Sequence, residues 1–204
     1  MKKILFTLAT LLMAGSMFAI DPVSLEGDFN IKKAKGTVAL VSWNWDKTMV
    51  GEIDDGVFKN TPMAIDKYLA KCDKDKIAEG KPEDANYVKD WPGIKQEAQD
   101  NFKKTWNKTF KKGMTLTSNK AEATHKIDFV IEGMDFGNIA GSMFGWGNAG
   151  GAIIKGYAKV TDIKTGKQVL KIKINHVQGP GHFSDRIRTW LVLNELVDEI
   201  KDAY

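Results

Sequence analysis

A glycine-rich stretch in the second half of the sequence contains the spacing of a dinucleotide-binding motif. Gly145, Gly147 and Gly150 stand in the order G-x-G-x-x-G. In dinucleotide-binding proteins a strand leads into this motif and a helix follows it, so that the helix N-terminus faces the pyrophosphate. Here a strand leads in, but the residues after Gly151, "AIIKGYAKVTDI", alternate between apolar and polar and predict a second strand. We therefore predict no nucleotide site and no cofactor.

The residue types that most often carry catalysis or bind metals are few and dispersed. The chain has three histidines, His125, His176 and His182, and one cysteine, Cys72. His125 begins one predicted strand and His176 ends another, which places them at opposite ends of a sheet. His176 and His182 flank a predicted turn at residues 179–181, but two histidines without a placed carboxylate make a weak metal site. Cys72 has the spacing of a packed helical residue, so we predict no metal site and no enzyme activity.

The same glycine-rich stretch carries large apolar side chains that turn chemistry does not require. Glycines are expected in a long connection between two strands because they supply positive backbone angles. Met143, Phe144 and Trp146 lie among them. Large apolar side chains in a loop lose contact with water only when something covers them. Two alternatives stay open: the loop folds back on its own domain, or it meets a lipid or a partner.

The elements that must position these residues are four strands and two long helices. Residues 91–111 repeat apolar side chains at steps of four, which is typical of an amphipathic helix closed by lysines and Gly113. A second such helix starts at Ser184 or Asp185. A strand is predicted at 38–45, and alternating patterns predict strands at 124–134, 152–162 and 170–174. We expect an α/β (α+β) two-layer sandwich, with a four-stranded mixed sheet and both helices on one face.

Topology predicts where loops gather. The first strand joins the second through a helical crossover, so the two should be parallel. The ends of strands one, two and four then share one edge of the sheet, together with an excursion at about 47–90 that is predicted to be partly helical. That edge is the predicted partner- or ligand-binding surface, because aromatic and cationic residues are typical of contact sites. Its candidate residues are Met143, Phe144, Trp146, His182, Phe183, Arg186 and Arg188.

The N-terminus has the order of a secretory signal peptide. Lys2 and Lys3 precede an uncharged apolar run, and small residues follow it up to Ala19. We expect cleavage after Ala19, with Ser16 as the alternative. Ser16 also stands where a lipoprotein would have its lipidated cysteine, so we expect no lipid anchor. The predicted location is the periplasm or the outer membrane of a Gram-negative bacterium.

The remaining chain, residues 20–204, is predicted to be one domain without a transmembrane span after signal cleavage. The formal net charge is +4 for the whole sequence and falls to about +2 without the first 19 residues. Lysines and acids are interspersed, which predicts no binding to nucleic acid. A single cysteine excludes an internal disulfide, so the hydrophobic core must hold the fold.

The second half of the chain resembles a group of bacterial envelope proteins with domains of unknown function. The residues that carry the resemblance are "DFVIEGMDFGN", the glycine-rich loop, "YAKVTDIKTGKQVLKIKI" and the closing helix, with Asp162, Thr165, Gly166 and Lys167 forming a D-x-x-T-G-K hairpin. The fold of that group is similar to the sandwich of outer-membrane assembly lipoproteins and of the N-terminal domain of TolB. The resemblance implies this fold and an envelope location, and it implies no catalytic residue.

These observations lead to two functional hypotheses. The first is a non-enzymatic, exported accessory protein that binds another envelope protein or itself through the loop edge. The second is a carrier of a small apolar ligand or lipid, with the aromatic loop as a lid over the gap between helices and sheet. An enzyme ranks below both, because the sequence offers no convergent set of polar groups.

Overall fold

The computed structural model of the protein describes residues 20–137 and 150–204. Three helices are described: α1 (Ile65–Ala78), α2 (Tyr87–Thr109) and α3 (Asp185–Asp202). The long strands are β2 (Val38–Asn44), β8 (His125–Asp135), β9 (Gly151–Asp162) and β10 (Gln168–Gly181). The short strands are β1 (Val23–Glu26), β3 (Met49–Val50), β4 (Ile53–Asp54), β5 (Val57–Phe58), β6 (Met63–Ala64) and β7 (Thr115–Thr117).

The four long strands form the centre of the sheet as predicted. β2 runs parallel to β8, and β8, β9 and β10 form an antiparallel meander. One row across the strands places Trp43, Phe129, Ala158 and Ile172 side by side. Because side chains alternate between faces along a strand, this register gives the sheet one apolar face. The α/β class and the mixed sheet are confirmed.

The predicted counts of strands and helices were too small. Among the described residues the main sheet has eight strands, in the order β1-β10-β9-β8-β2-β7, with β3 paired to β8 and β6 paired to β3. β4 and β5 form a separate two-stranded sheet. A third helix, α1, lies in the excursion, which was predicted to be partly helical but was not counted with the two packed helices. The added strands have two to four residues, too few to show a repeat in the sequence.

The core lies between the apolar face of the sheet and helices α2 and α3. Phe102 and Trp106 of α2 contact Phe129, with ring centroids 5.1 and 6.5 Å apart. α3 packs beside α2, and Thr105 Oγ1 donates to Asn194 Oδ1 at 2.9 Å. The side chains on one side of α3, from Val192 to Ile200, are buried and complete the helix layer. Both amphipathic helices therefore lie on the same face, as predicted.

Helix α2 begins one turn earlier than the predicted start at residue 91. Pro92 lies inside the helix, because the first turn starts at Tyr87. A proline in that position cannot bond to the carbonyl four residues before it. The extra turn is held by Asp73 of α1, whose carboxylate accepts from the N–H groups of Tyr87 (2.7 Å) and Val88 (3.2 Å). A cap from another helix cannot be read from local sequence.

Strand β10 also continues further than predicted. Residues 179–181 were expected to turn, but β10 runs extended to Gly181. Gly179 is where α3 approaches the sheet, since a Cβ there would lie 2.7 Å from the Cα of Val192. Gly156 of β9 makes a different close contact, within the sheet. In the structure Gly156 has a φ of +153° and packs against the carbonyl of Val130.

Candidate functional site

The excursion, the two ends of the glycine-rich loop and the end of β10 meet at one edge of the sheet. Asp135, at the end of β8, accepts from the N–H of Ile53 in the excursion at 3.2 Å. Gly51 donates to the carbonyl of Met134 at 3.2 Å. Gln178 of β10 lines a cleft with these segments. The segments come together as the parallel pairing of β2 and β8 predicts.

The base of the glycine-rich loop requires glycine for steric reasons. Gly137 has a φ of +70°, and a Cβ there would lie 2.3 Å from the carbonyl oxygen of Gly150. A Cβ on Gly151 would lie 1.8 Å from the carbonyl oxygen of Gly179. β9 starts at Gly151, so a strand and not a helix follows the G-x-G-x-x-G spacing. These glycines serve close backbone contact. The candidates Met143, Phe144 and Trp146 lie outside the described residues.

An aromatic cluster supports this edge from below. Phe136 precedes the glycine-rich loop and stacks on Tyr68 of α1, with ring centroids 5.3 Å apart. It also contacts Trp91 of α2 edge-on at 5.7 Å, and Trp91 meets Trp45 at 5.8 Å. Burial raises the pKa of Tyr68, which keeps its hydroxyl protonated. The cluster forms an apolar platform at this end of the sheet.

A groove of about 450 Å³ opens beside this platform, between the N-terminal ends of α2 and α3. Phe183 stands at its rim and is 61% exposed. The α2 side of the groove could not be predicted from the sequence, because the first turn of that helix was not predicted. The lining residues are Asp84, Asn86, Tyr87, Asp90, Ile94, Phe183, Ser184, Asp185 and Arg186. A smaller apolar cavity of about 20 Å³ lies behind it and shares Tyr87, Ile94 and Asp185.

The two arginines predicted at this edge have different surroundings. Arg186 is exposed, and its Nε and Nη2 both lie 2.5 Å from Oε2 of Glu97 on α2. Arg188 is 3% exposed, and its guanidinium donates to the carbonyl of His182 at 2.8 Å and pairs with Asp185. Arg186 therefore joins the two walls of the groove. Arg188 is not available for surface contact and instead positions the segment that carries Phe183.

His182 has a local structural contact. Its Nδ1 accepts from the backbone N–H of Ser184 at 3.1 Å, and its ring lies 6.1 Å from that of Phe183. Ser184 is the N-cap residue of α3, and its own side chain makes no capping bond. The predicted residues His182, Phe183, Arg186 and Arg188 thus lie on one short segment around the start of α3.

The other histidines and the cysteine lie elsewhere. His176 accepts from the N–H of Gly56 at 3.3 Å, and His125 packs on Phe29 with ring centroids 5.0 Å apart. Cys72 is half-buried on α1, and burial raises the pKa of its thiol, which disfavours the nucleophilic thiolate. Across residues 20–137 and 150–204, His, Cys, Asp and Glu form no group of three that could hold a metal ion.

Comparisons with known proteins do not assign this chain to a family. No family model matches the sequence, and no curated protein matches it. Two solved structures of the PelC dodecamer from Paraburkholderia phytofirmans are similar to it at 11% identity. One gives a TM-score of 0.41 over 86% of this chain and 96% of that chain. The other, a variant in a second crystal form, gives 0.39 over 87% and 95%. Both scores are too low to carry an argument about fold or function.

The helices of the described part of the chain do not meet the requirements of a membrane span. Within residues 20–137 and 150–204, none combines the length and the apolar character needed to span a membrane. The predicted signal peptide lies outside this part of the chain.

Proposed function

We propose that this chain is a non-enzymatic accessory protein of a Gram-negative envelope, exported and not lipid-anchored, that binds another envelope protein through the groove between α2 and α3. The observation that carries the proposal is Phe183, a large aromatic side chain that is 61% exposed at the rim of that groove. Exposed aromatic side chains beside a pocket are typical anchors of protein interfaces.

The contacts that order the segment around Phe183 favour binding. An anchor contributes most when its surroundings are already ordered, because less conformational entropy is lost on association. Here Arg188 holds the carbonyl of His182, and the Arg186–Glu97 ion pair joins the two helices. Both contacts fix the segment that presents Phe183. A partner side chain would enter between Tyr87 and Ile94, toward the aromatic cluster.

The carrier hypothesis has less support. It needs space between the helices and the sheet for an apolar ligand, and typical ligand pockets have volumes of roughly 300–1,000 Å³. In the described part of the chain, Trp43, Phe102, Trp106 and Phe129 fill that layer by direct ring contacts. The cavity behind the groove has about 20 Å³, which is room for about one water molecule and not for an apolar ligand.

Photo-crosslinking in living cells tests the proposal. A photoreactive residue would replace Phe183, and a matched probe would replace Ile163, which is 50% exposed on the D-x-x-T-G-K turn at the opposite edge of the sheet. We expect a discrete protein adduct from position 183 and none from position 163. Equal adducts from both positions, or none from position 183, would contradict the proposal. A lipid adduct from position 183 would favour the carrier hypothesis.

Once a partner is captured, substitution separates binding from folding. Phe183→Ser should weaken the partner's affinity by about tenfold or more, as loss of a hot-spot aromatic does. The free energy of unfolding should stay within about 0.5 kcal/mol, because the side chain is largely exposed. Ile163→Ser is the control and should change neither quantity. Unchanged affinity in Phe183→Ser would contradict the anchoring role.

A further inference from the structure

Strand β1 ends the main sheet with one side of its backbone unpaired. It pairs antiparallel with β10 in the register Val23↔Ile174 to Glu26↔Lys171, and within the described residues it is the last strand on that side. The carbonyl of Pro22 accepts from the N–H of Asn175 at 2.9 Å, so it points toward β10. Successive residues of a strand point their backbone groups to alternate sides. The N–H and C=O groups of Val23 and Leu25 therefore point away from the sheet.

The space beside this edge is open and bounded by the end of α3. A cleft of about 460 Å³ is lined by residues 21–25 on one side and by Glu199, Asp202 and Ala203 on the other. The side chains of Val23 and Leu25 pack toward the core, and both residues line the cleft. An extended chain lying in the cleft would reach the outward N–H and C=O groups of β1.

The helix wall of the cleft is acidic. Glu195, Glu199 and Asp202 follow at i, i+4 and i+7 on α3, so they share one face, and Asp198 lies beside them. Lys201 is within 3.6 Å of Asp202. Burial and the neighbouring carboxylates raise the pKa values of Glu195 and Glu199, which indicates crowded negative charge. The carbonyl end of the helix adds to it.

We propose that the outer edge of β1 is a strand-addition site for an extended, lysine- or arginine-rich segment of another protein. In this mode of recognition the backbone supplies hydrogen bonds and the side chains supply selectivity. Alternate side chains of the added strand face the helix layer, where cations meet Glu199 and Asp202. A second copy of this chain paired edge to edge would bring two acidic helix ends together, so charge disfavours it. This proposal does not depend on the groove at Phe183.

Amide hydrogen exchange tests the backbone part of the proposal. The purified protein would be titrated with a short peptide of alternating lysine and valine, and in parallel with the same peptide carrying glutamate in place of lysine. We expect the amides of Val23 and Leu25 to exchange rapidly in the free protein and to become protected with the lysine peptide. The amides of Ser24 and Glu26 bond toward β10 and should be protected throughout.

Charge substitution tests the selectivity. The double variant Glu199→Lys, Asp202→Lys should bind the lysine peptide about tenfold more weakly, as expected for two surface ion pairs. Asp66→Lys, a charge reversal at an exposed residue of α1, should bind normally and controls for charge reversal away from the cleft. Equal binding of both peptides, or no protection of Val23 and Leu25, would overturn the proposal. So would protection that rises with protein concentration alone, which would identify a second copy as the occupant.

Discussion

The main sheet ends laterally in β1 on one side and in β7 on the other, and the outward backbone groups of these two edge strands have different surroundings. At one edge, the side-chain amide of Asn107 on α2 pairs with both backbone groups of Leu116 in β7, at 2.6 and 3.0 Å. At the other edge, the corresponding groups of Val23 and Leu25 in β1 face an open cleft. Unpaired strand edges invite association with other chains. The side chain of Asn107 thus bonds the outward backbone groups of β7 as a neighbouring strand would. The outward groups of β1 face the cleft instead.

The chain limits the exposure of β1 in other ways. The strand has four residues, Pro22 precedes it, and Glu26 ends it with ion pairs to Lys171 and Lys173. Short length, proline and charge are devices that reduce uncontrolled strand pairing. These features still allow the proposed partner to bind, because a lysine- or arginine-rich strand is attracted by the acidic wall beside β1. The difference between the edges therefore lies in selectivity as well as in access.

The largest expected effect comes from removing the anchor of the closed edge. Trp106 is fully buried, and its Nε1 donates to the carbonyl of Met114, just before β7, at 2.8 Å. Trp106→Ala should lower the free energy of unfolding by about 3–5 kcal/mol, because it leaves a large cavity. Urea unfolding measures the change. Trp106→Phe keeps most of the packing and should cost less; a loss below about 1 kcal/mol in the alanine variant would mean that this edge is not anchored here.

A smaller effect is expected from opening the closed edge without a cavity. Asn107→Leu removes both bonds to Leu116 and should cost about 1–3 kcal/mol, since the two backbone groups lose their partner. The amide of Leu116 should then exchange as rapidly as those of Val23 and Leu25. Lys108→Leu, an exposed change on the next residue of α2, is the control and should stay within about 0.5 kcal/mol. Unaltered exchange at Leu116 would show that the edge is closed by something else.

The smallest effect concerns the acidic wall beside the open edge. The pKa of Glu199 is raised, so the folded state holds this proton more tightly than the unfolded state. The stability that this group contributes therefore falls as pH rises from its ordinary value, 4.5, through the raised one. Glu199→Gln should gain a few tenths of a kcal/mol near about pH 7 and nothing near about pH 4. Thermal unfolding at the two pH values measures the gain.

Glu26, at the end of β1, should affect the pH dependence of stability in the opposite direction to Glu199. Hydrogen bonding to Lys173 lowers the pKa of its carboxyl. Its contribution to stability is present above the ordinary value, 4.5, and is lost as pH falls through the lowered one. Glu26→Gln should therefore reduce stability at neutral pH where Glu199→Gln raises it. The same sign in both variants would contradict the assigned surroundings.

The candidate site could be predicted in its location but not in its details. Parallel pairing of β2 with β8 was enough to bring the excursion, the loop ends and the start of α3 together at one end of the strands. The groove itself needed the first turn of α2, which depends on a cap from Asp73, 14 residues before Tyr87. Arg188 was expected at the surface but is buried, and Asp185 and the carbonyl of His182 on the same short segment pair with its guanidinium.

The sequence by itself determined the elements whose side chains repeat over many residues. β8, β9, the first half of β10, α2 and α3 have a periodic apolar face, which specifies both the element and the side that it buries. Tertiary structure alone decided β1, β7 and the extension of β10, because segments of three or four residues gain their stability from strands that are distant in the chain. It also decided which edge is closed, since the amide of Asn107 and the backbone of Leu116 meet only after α2 has packed on the sheet.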